Sequence, residues 1–315
     1  MIDSFWDGKR IAVTGATGFL GSHVIDRLVA TRRVPAPSIV AIGHGDVDLR
    51  VGEQAVAALR ACDVLLHVAG DVGGAGYSYA HPGTQLYNNT VMDLQVLEAA
   101  RRCGVARVLL VGCVVGYSPA SSVPLTETRV LEGPVPESSS GISQAKRNAL
   151  VASVLYHREF GLNASVVMPA NTYGPRDELD LARAHVIPAT ILKCLTSDEV
   201  VALGDPATSR DFVFVEDAAE GILLAAELLP PGECVNIGSG VQTSIGEMVE
   251  RCVALTGFKG TVRFDGAGPS TPSRRPVDLA RARQLLGYVP RHSLDSGLTR
   301  TIAWYRAALA SGTRV

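Results

Sequence analysis

Apolar residues fall along the chain in short continuous runs, each closed by glycine and separated from the next by helical periodicity. Residues 10–16 form the first run, and residues 21–30 then place Val24, Ile25, Leu28 and Val29 on one helical face. This predicts strand, tight turn and helix in succession. Further runs at 39–42, 64–68 and 108–111 end at Gly43-His44-Gly45, Ala69-Gly70 and Gly112, and a helical pattern covers 91–103. Strands covered by helices on both faces read as unbroken apolar runs, so the pattern predicts an α/β fold with a doubly wound parallel sheet. Beyond residue 170, prolines from Pro175 to Pro276 cut the chain into shorter pieces around helices such as 245–256. The expected organisation is a sheet domain at 1–170 and a smaller C-terminal lobe at 171–315, interleaved with the last strands of the sheet.

Composition narrows the class. With 315 residues, 47% hydrophobic, 19% charged and a formal net charge of −2, the chain reads as an ordinary globular enzyme rather than a disordered or polyanion-binding protein, and no nucleic-acid partner is expected. Cys62, Cys103, Cys113, Cys194, Cys234 and Cys252 are scattered, with no Cys-x-x-Cys pair and no zinc spacing. That predicts buried free thiols and no metal site. The N-terminal segment carries Asp3 and Asp7 and runs straight into a strand, unlike a signal peptide, and no apolar run reaches membrane-spanning length. A soluble, cytoplasmic protein without a membrane partner is expected.

Thr14-Gly15-Ala16-Thr17-Gly18-Phe19-Leu20-Gly21 supplies the first candidate chemistry. Glycines at G-x-x-G-x-x-G between a strand and a helix permit a tight turn and close approach to a pyrophosphate, which the helix N-terminus also attracts. Gly15, Thr17, Gly18, Phe19, Leu20 and Gly21 are therefore candidate cofactor contacts, and 1–170 is read as a dinucleotide-binding domain with 171–315 as its substrate lobe. Val68, Ala69 and Gly70 end a strand beneath the expected cofactor, and Asp63, opening that strand, is a candidate adenine contact. An NAD site places a carboxylate after the second strand to bind the ribose 2′-hydroxyl. Here that position reads Gly43-His44-Gly45-Asp46: either Asp46 is that carboxylate, or His44 and nearby basic groups accommodate the 2′-phosphate of NADP.

With Val72-Gly73-Gly74, the stretch Met168-Pro169-Ala170-Asn171-Thr172-Tyr173-Gly174-Pro175-Arg176-Asp177, and His185-Val186-Ile187-Pro188-Ala189, the chain resembles GDP-L-fucose synthase. That family lies in the extended short-chain dehydrogenase/reductase class, the NAD-dependent epimerases and dehydratases. Arg210-Asp211-Phe212-Val213-Phe214-Val215-Glu216-Asp217 and Val235-Asn236-Ile237-Gly238-Ser239-Gly240 extend the likeness over nearly the whole chain. The resemblance implies a Rossmann domain, NADP or NAD as cofactor with NADP favoured, and a nucleotide-diphosphate sugar, GDP-linked favoured, as substrate. It also implies a homodimer through helices at 91–103 and 146–160.

The family uses a tyrosine as proton donor and a lysine one helical turn later to lower its pKa. In the best register Ser140 stands at the tyrosine and Gln144 at the lysine. A neutral amide exerts no charge on its neighbour, so the dyad is absent; Ser140 is left to order a water and Gln144 to bind a ribose hydroxyl. Lys146 lies two residues on, toward the opposite helix face. Cys113 matches the family's catalytic serine, while Val115 replaces its cysteine base. His185 matches the remaining epimerisation acid/base. The catalytic candidates are thus His185, Cys113, Ser140 and Gln144. Asn171, Lys193, Arg210 and Arg274 are the candidate substrate contacts, the cations for a diphosphate.

The expected function is modification of a nucleotide sugar, as an epimerase/reductase of a 4-keto sugar with an atypical active site. Loss of an acid/base group costs on the order of 10²–10⁴-fold, which leaves room for slow redox chemistry. The alternatives are a non-redox tailoring enzyme (isomerase, lyase or cyclase) using the same cleft, and a catalytically silent nucleotide-sugar-binding member.

Overall fold

The computed structural model describes residues 5–266 and 276–312. Strand β1 (Ile11–Thr14) passes through the glycine turn into helix α1 (Phe19–Arg32). There follow β2 (Ile39–Ile42), α2 (Gly52–Leu59), β3 (Val64–His67), α3 (Ala75–Ala80), α4 (Pro82–Cys103), β4 (Arg107–Val111), α5 (Ser140–Phe160) and β5 (Ala164–Pro169). Next come β6 (Asn171–Tyr173), α6 (Val186–Thr196), β7 (Glu199–Leu203) and β8 (Ser209–Phe214). The chain then returns through α7 (Val215–Leu228) to β9 (Cys234–Ile237), and finishes with β10 (Gln242–Ser244), α8 (Ile245–Thr256), β11 (Thr261–Asp265), α9 (Ala280–Leu286) and α10 (Leu294–Ala310).

Six strands form one parallel sheet in the order β2-β1-β3-β4-β5-β9. The apolar runs form its middle: Ile11, Ala12, Val13, Val64, Leu65, Leu66, Val108 and Leu109 are wholly buried, each large aliphatic side chain contributing about 1.5–3 kcal/mol. The connection after β1 leads to β2 and the one after β3 leads the opposite way to β4, so the crevice outside the carboxyl ends of β1 and β3 is the switch point where such sheets bind ligands. Asp63 lies at the other end. It precedes β3, and its carboxylate accepts from the Arg10 backbone N–H at 2.7 Å beside the amino ends of β1 and β3. The expectation that Asp63 contacts adenine is therefore corrected: it ties two strand starts together.

The second lobe is built on a β10-β8-β6 sheet and a β11-β7 pair. Its separate core holds Ile187, Ile191, Phe214, Met248, Leu298, Ile302 and Tyr305. Because α7 and β9 return to the large sheet before β10 begins, the lobes are interleaved in sequence. Phe19 and Leu20 pack against the second core, which places the glycine turn at the seam between them. Among the described residues no helix is long and apolar enough to cross a membrane.

Candidate active site

The glycine turn is a cradle shaped by missing side chains. Gly15 has φ +67°, and a Cβ there would lie 2.9 Å from the Ala69 backbone; a Cβ on Gly21 would lie 2.1 Å from the Gly15 carbonyl oxygen. Gly18 precedes α1 without a side-chain cap, leaving the first N–H groups of the helix to a ligand. Thr17 and Gly18 are exposed, as is Gly70 at the exit of β3, while Val68 and Ala69 are half-buried beside the turn. Thr14 Oγ1 accepts from the Val68 and Ala69 N–H groups at 3.1 and 3.2 Å, fixing that exit against the turn. These residues fit a dinucleotide pyrophosphate. At the tip of β2, His44 is exposed and the Asp46 carboxylate accepts from the Gly43 N–H at 2.8 Å.

Beneath this floor runs a buried polar chain. With two N–H groups already donating to it, Thr14 Oγ1 directs its own proton to His67 Nδ1, 2.8 Å away. His67 Nε2 then donates to Asp93 Oδ1 at 2.9 Å, and the Lys146 ammonium donates to both Asp93 oxygens at 3.3 Å. His67, Asp93 and Lys146 are all buried. Burial works to raise the Asp93 pKa, but Lys146 and His67 outweigh it, and the carboxyl is held below its ordinary range. The Asp93 carboxylate is thus enclosed by Lys146 and His67, and Lys146 acts as half of an ion pair.

The face of α5 that meets this chain corrects the expected register. Ile142 and Lys146 are buried, one turn apart, on the inward side. Gln144 donates along the helix to Asn148 at 2.9 Å, on a stripe continued by exposed Val151 and Leu155, and Ser140 lies at the edge of that stripe. Lys146 therefore takes the position expected of Gln144, and Ile142 that expected of Ser140. The signal was a lone lysine on the apolar face of a helix, with a histidine closing an apolar strand and an aspartate inside an apolar helical pattern. The tyrosine remains absent. Tyr117 does not replace it, since its buried hydroxyl donates to Asn236 at 2.9 Å.

Cys113 follows β4 and is half-buried. Burial raises its pKa, and Lys146 and the backbone N–H groups of Val115 and Gly116 only partly counter that. At neutral pH it is a thiol, a proton donor rather than a nucleophile. His185 begins α6 in an extended conformation and reaches solvent. Protein crowded around it lowers its pKa, with Glu178 opposing, which favours a neutral imidazole able to take a proton. Its loop is fastened to the exit of β3. The Gly74 N–H donates to the Arg183 carbonyl at 2.7 Å, Arg183 Nη2 donates to the Val72 carbonyl at 2.9 Å, and the Arg183 guanidinium sits 4.4 Å from the Tyr77 ring centre. Cys113 thus leaves β4 at its carboxyl end, and His185 is carried on the loop tied to the exit of β3.

The candidate substrate contacts are turned inward onto protein. Asn171 Nδ2 donates to the Asp211 carbonyl at 3.0 Å, Lys193 Nζ to the Val201 carbonyl at 2.7 Å, and Arg210 Nη1 to the Ser209 carbonyl at 2.7 Å. Burial lowers the Arg210 pKa. Arg274 lies outside the described residues.

Known proteins resemble the chain over nearly its whole length. The model of the NAD dependent epimerase/dehydratase family matches residues 11–238. GDP-L-fucose synthase of Sinorhizobium fredii is 30% identical over 304 residues, covering 94% of this chain and 95% of that one. The dTDP-4-dehydro-6-deoxy-D-allose reductase of a Streptomyces species is 28% identical over 321 residues, covering 96% and 97%. The UDP-glucose 4-epimerase of Thermotoga maritima, solved with UDP-glucose, superposes with a TM-score of 0.84 at 26% identity, covering 95% and 99%.

Proposed function

Because the chain belongs to the NAD dependent epimerase/dehydratase family, we propose that it acts beside a bound NAD(P) on the 4-keto group of a nucleotide-diphosphate sugar, as an epimerase/reductase whose proton chemistry has moved. What supports this reading is a glycine cradle shaped for a dinucleotide pyrophosphate, with the Cys113 thiol after β4 and the His185 imidazole on the loop tied to β3; burial raises the pKa of the first and lowers that of the second. When bound, the dinucleotide supplies the hydride. For epimerisation, His185 removes a proton from the carbon beside the ketone and Cys113 returns one from the other side. For reduction, Cys113 donates to the carbonyl oxygen the proton that a tyrosine would give. Lys146, neutralised by Asp93, holds the floor of the site.

Relatives named GDP-L-fucose synthase support a GDP-linked substrate. Arg210 and Lys193 are the proposed diphosphate contacts, Lys193 exchanging the Val201 carbonyl for phosphate, and Asn171 stands beside the sugar. We assign a homodimer to the same reading. Tyr87 and Leu94 on α4 and Val151, Val154, Leu155 and Phe160 on α5 are exposed apolar side chains on two helices that pack together; Leu155→Glu is expected to give monomers in sedimentation, and an unchanged species removes the assignment.

The test is incubation with a GDP-4-keto-6-deoxyhexose and NADH or NADPH in heavy water, following dihydronicotinamide oxidation and deuterium at the carbons flanking the ketone. Substrate-dependent oxidation with deuterium uptake is expected. Product without cofactor oxidation supports the non-redox alternative, and tight binding without either change supports the silent one.

A further inference from the structure

The adenosine end of the crevice carries its own selectivity. The chain leaves β2 at Ile42 and folds back through 43–46, where Asp46 Oδ2 accepts from the Gly43 N–H at 2.8 Å. A Cβ on Gly43 would lie 2.9 Å from that oxygen and 2.7 and 2.9 Å from the Thr17 side chain. The carboxylate is therefore held against the glycine turn at the tip of β2, where a dinucleotide bound across β1 and β3 places the ribose next to its adenine. Asp46 is exposed, and its bond to Gly43 leaves further lone pairs for a ligand hydroxyl.

The cations of the following turn offer a phosphate little. Arg50 Nε and Nη2 both donate to Asp48 at 2.9 Å, and its Nη1 donates to Asn88 at 2.9 Å. From 43 to 51 the only other basic side chain is His44, which precedes Asp46 and Asp48 in the same turn and is exposed. A 2′-phosphate would meet two carboxylates and a committed guanidinium, whereas a 2′-hydroxyl can donate to a fixed anion.

We infer that Asp46 makes the site selective for NAD(H) over NADP(H), reversing the preference for NADP that the resemblance implies. The inference rests on the dinucleotide reading above, and direct binding separates the two. NADH and NADPH are titrated by fluorescence into the whole wild-type protein, Asp46→Asn, and the double variant Asp46→Ser/His44→Arg, with thermal melts reporting that each variant folds. NADH is expected to bind about 10- to 100-fold tighter than NADPH to the wild type. Asp46→Asn should bring the two within a few-fold, and the double variant should favour NADPH. Equal or tighter NADPH binding to the wild type overturns the inference while leaving the cofactor reading standing. A preference unchanged in Asp46→Asn overturns the role of Asp46. Binding of neither dinucleotide overturns the inference and the cofactor reading together.

Discussion

At the glycine turn the site is made by backbone: a carbonyl 2.1 Å from where a Gly21 Cβ would stand, a left-handed Gly15, and uncapped N–H groups at the start of α1. At the inward face of α5 it is made by side chains, and there an isoleucine precedes a lysine already paired with a buried aspartate. The first region fits a pyrophosphate, and a side chain added at Gly15 or Gly21 would collide with backbone. The second needs only a buried, charge-balanced filling to fold, so its chemistry can be replaced while the scaffold stays. A binding site and a reaction can part company within one crevice.

The largest effect should come from unbalancing the second region. Asp93→Ala leaves the Lys146 ammonium buried and uncompensated, an expected loss of about 3–5 kcal/mol in denaturant unfolding. Adding Lys146→Met to Asp93→Leu should recover most of it; a double variant as unstable as the single would mean that the pair does more than neutralise itself. In the first region, Gly21→Ala forces backbone apart, with an expected cost of about 1–3 kcal/mol and loss of dinucleotide binding by fluorescence titration. Retained affinity would break the contrast between the regions.

The second lobe sharpens the comparison through pH. Burial pushes the Asp177 carboxyl up to about 7, and its Oδ2 has no hydrogen-bond partner. A folded-state pKa raised from 3.8 gives stability that is complete below about 4 and lost as pH rises through 7. Asp177→Asn should therefore melt higher than wild type at pH 8, by up to about 4 kcal/mol, and show little difference at pH 4. Equal melting shifts at both pH values would refute this. Smallest of all, Ser140→Ala and Gln144→Ala on the outer stripe of α5 should stay within about 0.5 kcal/mol of wild type.

Most of the fold was legible because buried parallel strands leave continuous apolar runs and glycine marks their ends, as at Gly15, Gly70 and Gly112. The register of α5 was not, because Gln144 and Lys146 are both plausible in a polar helix start, and only packing against Asp93 shows which side faces in. Asp63 misled for a related reason: an aspartate beside a strand signals either end of it, and the sheet decides which end meets the ligand. The inward bonds of Asn171, Lys193 and Arg210 lie beyond reach of spacing, since they depend on how β6, β7 and β8 are laid together.

In the proposed function, proton chemistry has passed from the α5 face to Cys113 and His185. Its most direct measurement is the rate of solvent deuterium exchange into a GDP-4-keto-6-deoxyhexose, across pH, for wild type, Cys113→Ala and Gln144→Ala with dinucleotide bound. The raised thiol and lowered imidazole predict a plateau that begins below the ordinary histidine pKa and ends above the ordinary cysteine pKa. Cys113→Ala should slow exchange on the order of 10²–10⁴-fold without weakening dinucleotide binding, and Gln144→Ala should leave it unchanged. Exchange that survives Cys113→Ala but collapses in Gln144→Ala would contradict the claim.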